Sequence, residues 1–494
     1  MKAHPLCFAG RTRFLLIAGL ASTIAITGVT APQTAETVTR AKNIILMISD
    51  GTGTNTIAAT GMYTGKLGKQ IFDGADWTKS YVSTYPLRTG ETPIAGSAGL
   101  TQDPATVYDP AKNWDTSRAT STTGRNPDRF GGYSWTKRTA PDSANTIVSA
   151  VTGRKTYNNA VNVDGNGRNM TTFAELAQRA GKAVGVVTTV QFADATPSVS
   201  GGAHNISRDN RTAVAAEMLN AGVLSVIMGT GNPDYDNDGV RRQAPNYSWI
   251  SANDWAALKA GTHRGRFKLI EDIADFSGLT TATTTPAKVV GLARSFDGTQ
   301  AYRAGAMPTS ETPFSVPRRT DVPSLKTMAL GALNVLDNDP DGIFLMIEGG
   351  GVDRVMHANN LGRMIEEKME FDEAVEAVSA YLDANTSGNN WSNTLVIVTG
   401  DHDHLLLGPE SDTVPYQDLT NRGAGRMPGY KWQHTSHSNQ LVPLYARGPG
   451  ANLFLTCANQ RDSFTDNSGR TFGRGAYLDQ TEIFAVMSAN GRCS

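Results

Sequence analysis

The sequence predicts an α/β protein, a three-layer sandwich with a central, mostly parallel β-sheet flanked by helices and carrying loop and cap insertions. Three observations point there. Several apolar runs of strand length are continuous rather than alternating, as in NIILMIS (residues 43–49) and LVIV (residues 395–398), the mark of strands buried on both faces. Such runs alternate with helical patterns, which places crossover helices on both sides of a parallel sheet. Finally, 494 residues with 39% hydrophobic and 18% charged side chains can bury one large core or two modest ones.

In chain order, Lys2, Arg11 and Arg13 precede an apolar stretch, residues 14–29, and then the small residues Val29-Thr30-Ala31. That is a signal peptide, residues 1–31, cut after Ala31; an uncleaved anchor fits less well because Gly and Thr interrupt a stretch already short for a span. Residues 42–494 then read as one catalytic domain. Strands are expected at 43–49, 184–190, 223–229, 343–347, 395–398 and 441–445, the last of these being the final strand of the chain. Helices are expected at 145–151, 172–180, 210–219, 325–336 and 361–382. The last is amphipathic, with Met364, Phe371, Val375 and Val378 on its apolar side.

Two regions break this rhythm. Residues 87–138, rich in Thr, Gly, Pro and Asp, read as a long ordered excursion, and residues 232–323 as an insertion or cap near the site. Within the insertion, Asp234, Asp236, Asp238 and Gly239 match the front half of a calcium loop. Pro245 stands where the closing Glu belongs, so a tight acidic turn is the expected reading and calcium the alternative. Cys7 leaves with the signal; Cys457 and Cys493 remain, an even pair expected to form a disulfide outside the cytosol. A net charge of −1 shows no electrostatic footprint for nucleic acid or an anionic membrane.

The chemistry gathers at strand ends. Asp401 and His402 follow the 395–398 run in TGDHDH, where a packed strand holds its last residues rigidly and ligands of open sheets bind. Asp50 closes the 43–49 strand. Glu348 follows the 343–347 run in IEGGGVDRVMH, and Asp353 and His357, four apart, share one helix face if a helix begins near Val352. Five of the eight histidines (His357, His402, His404, His434, His437) lie in the final third beside acidic clusters, which core histidines would not do by chance. Ser143 stands at a helix N-terminus, where free N–H groups favour anions; an N-cap serine is the plain alternative. A cation beside such a serine would stabilise its alkoxide and replace a His base.

These motifs, ISDG at Asp50, DSA at Ser143, DATP at residues 194–197, HNISR ending at Arg208, EGGGVDRVMH, TGDHDH and HSNQLVPLYARGP, resemble the alkaline phosphatase family in order and over most of the mature chain. The resemblance implies an alkaline-phosphatase-like fold and hydrolysis of phosphate monoesters through a phosphoserine, at a site of two Zn2+ and one Mg2+. It makes Ser143 the nucleophile and Arg208 the clamp on the non-bridging phosphate oxygens. It places Asp353, His357 and His437 on one zinc. Asp50, Asp401 and His402 fall on the second, with Asp50 shared with magnesium. Thr196 and Glu348 complete the magnesium ligands, with Asp194 behind them. His437 is preferred over His434 because it lies eleven residues before Gly448 of Gly-Pro. His434 is then a structural or phosphate-contacting neighbour, His404 a structural residue, and His204 a packing residue.

Arg354 stands where members often carry Lys or His, which leaves its role open, and the loop from Thr196 to Arg208 is slightly longer than in close bacterial relatives. The expected partners are small phosphomonoesters, with a homodimer left open, and the expected location is periplasmic or secreted. A phosphodiesterase or sulfatase on the same scaffold, or an inactive metal- or phosphate-binding protein, are the alternatives. Ser143-Ala144-Asn145 is not the formylglycine context of a sulfatase, and a clamp arginine disfavours diesters, whose second substituent would need its space.

Overall fold

A computed structural model describes residues 41–119, 127–305, 307, 312–488 and 493; the signal-peptide assignment and Cys7 fall outside them. Thirteen strands follow in order: β1 Asn43–Ser49, β2 Thr78–Ser83, β3 Ala183–Gln191, β4 Val226–Thr230, β5 Lys268–Ile270, β6 Val289–Leu292, β7 Ile343–Gly349, β8 Thr394–Thr399, β9 Leu406–Leu407, β10 Lys431–Trp432, β11 Val442–Arg447, β12 Gln460–Thr465 and β13 Thr471–Asp479. Eleven form one sheet in the order β12-β13-β2-β11-β8-β1-β7-β3-β4-β6-β5, while β9 and β10 pair separately. From β8 to β5 every neighbouring pair is parallel. The other edge is mixed, since β11 runs antiparallel to both β8 and β2.

The continuous apolar runs have a direct packing reason. Along β1, Ile44, Leu46 and Ile48 enter one core, and Ile45 and Met47 enter another on the opposite face. β8 divides the same way, Leu395 and Ile397 against Val396 and Val398. A strand between two apolar layers has no wet face, so the period-2 alternation of a half-exposed strand is absent. Helices Ser143–Thr152 and Phe173–Arg179 cover one face, and Leu325–Leu336 and Leu361–Ala384 the other. The expected mostly parallel sandwich is the observed fold.

Three expectations change in detail. The strand expected at 441–445 is not the final one, because the hairpin of β12 and β13 follows it and extends that edge. Residues 232–323 contribute β5 and β6 to the opposite edge as well as cover near the site. Helix Leu361–Ala384 places Phe371, Val375 and Val378 in the core as expected, yet its other side is buried too. There Glu366 pairs with Arg303, Glu370 with Arg318, and Arg363 Nη1 donates to the carbonyl of Ala301 at 2.8 Å. Ala301, Arg303, Arg318 and Leu325 cover this charged side, and burial is tolerable where the charges are paired.

No helix among the described residues is long and apolar enough to cross a membrane. Asp234 accepts from Trp255 Nε1 at 3.2 Å and faces Lys259 Nζ at 3.6 Å. Asp236 Oδ1 accepts from the backbone N–H groups of Asp238 and Val240, each at 2.9 Å, so the segment is the tight acidic turn. Cys457 and Cys493 are disulfide-bonded, tying helix Leu453–Cys457 to the C-terminus across a separation of 36 residues. A loop of that length contributes about 3–4 kcal/mol in the chain-entropy account. Cys493→Ser should therefore lower stability by roughly that amount, read as a shift in denaturation midpoint with phosphatase turnover of the folded fraction retained.

Candidate active site and metal centre

The site is built at the carboxyl ends of β1, β7, β8 and β3, the four adjacent central strands. Their parallel register brings Ser49 beside Gly349 and Ile48 beside Thr399, so Asp50, Glu348 and Asp401 arrive together although 350 positions of sequence separate the outer two. Two backbone features aim them. Gly51 adopts φ +71°, letting the chain turn sharply after Asp50, and its N–H donates to Asp401 Oδ1 at 2.8 Å. Gly400, between β8 and Asp401, passes so close to Thr52 that a Cβ would sit 2.2 Å from its carbonyl oxygen. Gly400→Ala should accordingly destabilise by about 1–3 kcal/mol through overpacking and lower bound-metal stoichiometry, checked by melting and by elemental analysis of the folded protein.

Two ligand-like groups result. In the first, Asp353 Oδ1 lies 3.3 Å from His357 Nε2, 2.6 Å from His404 Nε2 and 3.3 Å from His437 Nε2. Helix Gly351–His357 supplies Asp353 and His357 one turn apart, as the spacing required. His357 Nδ1–H donates to the carbonyl of Thr435 and His437 Nδ1–H to that of Pro141, each at 2.8 Å. Because a carbonyl only accepts, each ring, when neutral, is held as the tautomer whose Nε2 carries a lone pair, and Asp353 raises the pKa of His357 in the absence of a competing cation. Those two Nε2 atoms face each other at 3.2 Å, an arrangement that a shared cation relieves.

In the second group, His402 Nε2 lies 3.3 Å from Asp50 Oδ1 and 3.2 Å from Asp401 Oδ2. Both carboxylate oxygens are buried and neither receives a hydrogen bond. The two groups adjoin through His402 and His437, whose rings stack at 3.5 Å between centroids. Glu348, on β7 beside them, accepts from Thr188 Oγ1. Thr196, on helix Ala195–Ser200, is buried close by, and Asp194 is that helix's N-cap.

Burial pushes Asp50 well above the carboxylate range, reinforced by Asp401, Asp353 and Glu348. It likewise raises Glu348 to about 7 and Asp401 to about 6. Asp353 goes the other way: burial opposes ionisation, but the surrounding histidines, His357 foremost, hold it well below the usual value. Burial keeps His402 and His404 neutral, His404 down to about 3. Clustered buried acids that repel one another, facing neutral imidazole nitrogens, are what a divalent cation stabilises. The donor sets therefore fit metals.

Ser143 opens helix Ser143–Thr152, with Asp142 as its N-cap accepting from Asn145 N–H at 3.0 Å. Its Oγ lies 3.2 Å from His402 Nε2. It lines a cavity of about 400 Å³ together with Asp194, Arg208, Asp353, Arg354, His357 and His437. Arg208 donates from Nη1 to Asp142 at 3.1 Å and from Nη2 to Asp194 at 2.8 Å, so the slightly longer loop still delivers it to the site. Arg354 pairs with the other oxygen of Asp194. Burial opposes ionisation of Asp194, and the guanidinium groups of Arg354 and Arg208 overcome it, taking the carboxyl to about 2.

All eleven expected site residues are thus gathered here. His404, expected to be structural, lies against Asp353 as part of that group. Its signal was present: in an extended segment residues two apart share a side, so DHDH aims His402 and His404 together. His434 instead bonds Nδ1 to the His437 carbonyl at 2.9 Å, bracing that loop, and His204 packs against Glu217 and Met170. Sequence reasoning missed Thr188; the wall formed by Trp249, Phe296, Asp297 and Tyr302 lies within residues 232–323, expected as a cap near the site, though no motif singles out Phe296, Asp297 or Tyr302.

A mostly parallel sheet whose strand ends hold a helix-terminal serine, arginines and two His/Asp groups defines an α/β protein with metal-binding capacity. The family profile described as Alkaline phosphatase matches residues 120–414, more than half of the sequence. The chain belongs to the alkaline phosphatase family, which is metal-dependent and whose general chemistry is phosphomonoester hydrolysis. It is 29% identical to Alkaline phosphatase 3 of Bacillus subtilis over 266 residues, 53% of this chain and 48% of that protein, so this match spans about half of the relative. It is 26% identical to the alkaline phosphatase of Escherichia coli K12 over 463 residues, 86% of this chain and 84% of that one. In fold it resembles a cold-active alkaline phosphatase from Shewanella sp., with a TM-score of 0.60, 20% identity, and coverage of 91% of this chain and 100% of that one. The Thermus thermophilus alkaline phosphatase superposes with a TM-score of 0.58 at 17% identity, covering 91% of each chain.

Proposed function

We propose that this protein hydrolyses phosphate monoesters through a phosphoserine on Ser143. The observation that carries the reading is the convergence of Ser143 Oγ, the Arg208 guanidinium and two adjoining His/Asp groups on one cavity. Asp353, His357 and His437 would hold one zinc, with His404 against Asp353, and Asp50, Asp401 and His402 a second, since imidazole and carboxylate sets suit zinc. Oxygen donors from Asp50, Thr196 and Glu348 suit magnesium, with Asp194 anchoring the arginines behind them. Bound there, the metals would supply Lewis-acid stabilisation of charge on attacking and leaving oxygens.

The protein's own groups do the rest. Ser143 Oγ, at the positive end of its helix, attacks phosphorus; the P–O bond to the alcohol breaks and the alcohol leaves. Arg208 presents two parallel N–H donors to non-bridging oxygens, exchanging its bonds to Asp142 and Asp194 for phosphate. Water then cleaves the phosphoserine, returning the hydroxyl and releasing inorganic phosphate. We read residues 42–494 as one catalytic domain, exported to the periplasm or medium after loss of residues 1–31, a location the disulfide suits.

The test compares phosphate release from monoester and bis-ester chromogenic substrates, with and without chelator. Turnover confined to the monoester and abolished by chelator supports the reading. Preference for the bis-ester points to a diesterase, and metal-independent turnover removes the metal assignment.

A further inference from the structure

The cavity holding Ser143 continues past the phosphate-facing groups to a second cationic feature that this reaction does not use. Its wall includes Arg211, Trp249 and Phe296. Arg211 opens helix Arg211–Asn220, three residues beyond Arg208. Its guanidinium carbon lies 4.5 Å from the centroid of the Trp249 ring. Trp249 is only 5% exposed and belongs to the same core cluster as Ile250 and Phe296, so the indole is a fixed platform. A guanidinium held over an indole is oriented before an anionic partner arrives.

The three arginines of this wall differ in what already holds them. Arg208 is bonded to two carboxylates and Arg354 to one. Among the described residues, the one carboxylate paired with Arg211 is that of Asp209, at 3.8 Å, beyond hydrogen-bonding range, with both side chains exposed. The remaining acid nearby, Asp297, is engaged by Gln191 and Asn237, each at 2.9 Å. A prepositioned, lightly held arginine beside a phosphoryl site is suited to a second anion.

We propose that Arg211, supported by Trp249, binds a second anionic group of the substrate, so that the favoured monoesters carry a further phosphate or carboxylate on the leaving group. The inference rests on the phosphomonoesterase reading. With the scissile phosphoryl at Ser143 and Arg208, the leaving group runs along the wall and its anion meets the Arg211 fork, displacing the loose contact with Asp209. Because Arg211 is exposed, the preference weakens as salt rises.

Matched substrates test this: propyl phosphate, 3-(phosphooxy)propanoate and propane-1,3-diyl bisphosphate, with the metal-loaded protein, Arg211→Gln and Trp249→Leu. The parent protein should favour the two charged leaving groups by about ten-fold in kcat/KM, expressed in KM, the size of one charge-assisted hydrogen bond. Arg211→Gln should erase that ratio and Trp249→Leu reduce it. Preference for only one of the two identifies the anion as phosphate or carboxylate. Equal kcat/KM for all three substrates, or a ratio that survives Arg211→Gln, overturns the proposal. If none is hydrolysed, the phosphomonoesterase reading fails on its own. The subsite is then judged by calorimetry with propane-1,3-bisphosphonate against propylphosphonate, where equal affinities reject it.

Discussion

Ser143→Ala is expected to hydrolyse phosphate monoesters at least ~10³-fold more slowly than the parent protein, because a nucleophile that acts with its neighbours as one unit loses most of the rate when removed. The change deletes one oxygen at a position that is 2% exposed, on the first turn of a helix capped by Asp142 rather than by Ser143 itself. Folding should therefore be almost unaffected, and the melting temperature should stay within a few degrees. Single-turnover trapping with radiolabelled substrate should label the parent protein at Ser143 and leave the variant unlabelled. Labelling that persists, or turnover that does not fall, would place the nucleophile elsewhere.

Removal of metal is the second large effect. Chelation should abolish turnover and lower the melting temperature by about 10 °C or more, as expected when a tightly bound ligand of the native state is lost. The metal-free protein should also show an unusual pH dependence. Glu348 rises from an ordinary value of 4.5 to about 7, and Asp401 from 3.8 to about 6, both through burial. A carboxyl whose folded value lies above its unfolded value binds its proton better when folded. It contributes stability below its unfolded value and loses it as pH climbs through the folded one. Asp194, held at about 2, titrates below this window and does not compete with the trend. These two carboxyls therefore withdraw stability from the metal-free fold between roughly pH 4 and pH 7, a trend opposed by His402 and His404, whose burial in the neutral form favours the fold as the unfolded state gives up their protons over much of the same range. The metal-loaded protein should not follow the carboxyl trend, since metal displaces those protons and its binding should strengthen over the same range. A metal affinity that fails to rise from pH 5 to pH 7 would contradict the burial of these acids beside one another.

Much of this was legible before any coordinates. A strand buried on both faces is apolar along most of its length, so β1, β7 and β8 declared themselves as uninterrupted runs and β3 as a Val-rich one broken by Gly185 and two threonines. Residues following such runs lie at the carboxyl edge of the sheet, which made Asp50, Glu348 and Asp401 candidates on position alone. The spacing of Asp353 and His357 fixed one face of a helix. What local pattern could not supply were partners distant in sequence. Thr188 meets Glu348 across 160 positions, and Arg208 meets Asp142 across 66. The buried charges of helix Leu361–Ala384 were misjudged for the same reason: Glu366 looks like a solvated face until Arg303, brought in from 63 positions away, covers it.

Alone, the sequence determined the sandwich, the strands that carry the chemistry and the side chains poised at their ends, because periodicity and strand termini are local properties of the chain. Tertiary structure decided the grouping of those side chains. It brought His404 onto Asp353, split Asp194 between Arg208 and Arg354, and laid Arg211 on Trp249. Such pairings depend on sheet order and on where loops return, and those are settled by the whole core packing at once rather than by any single segment.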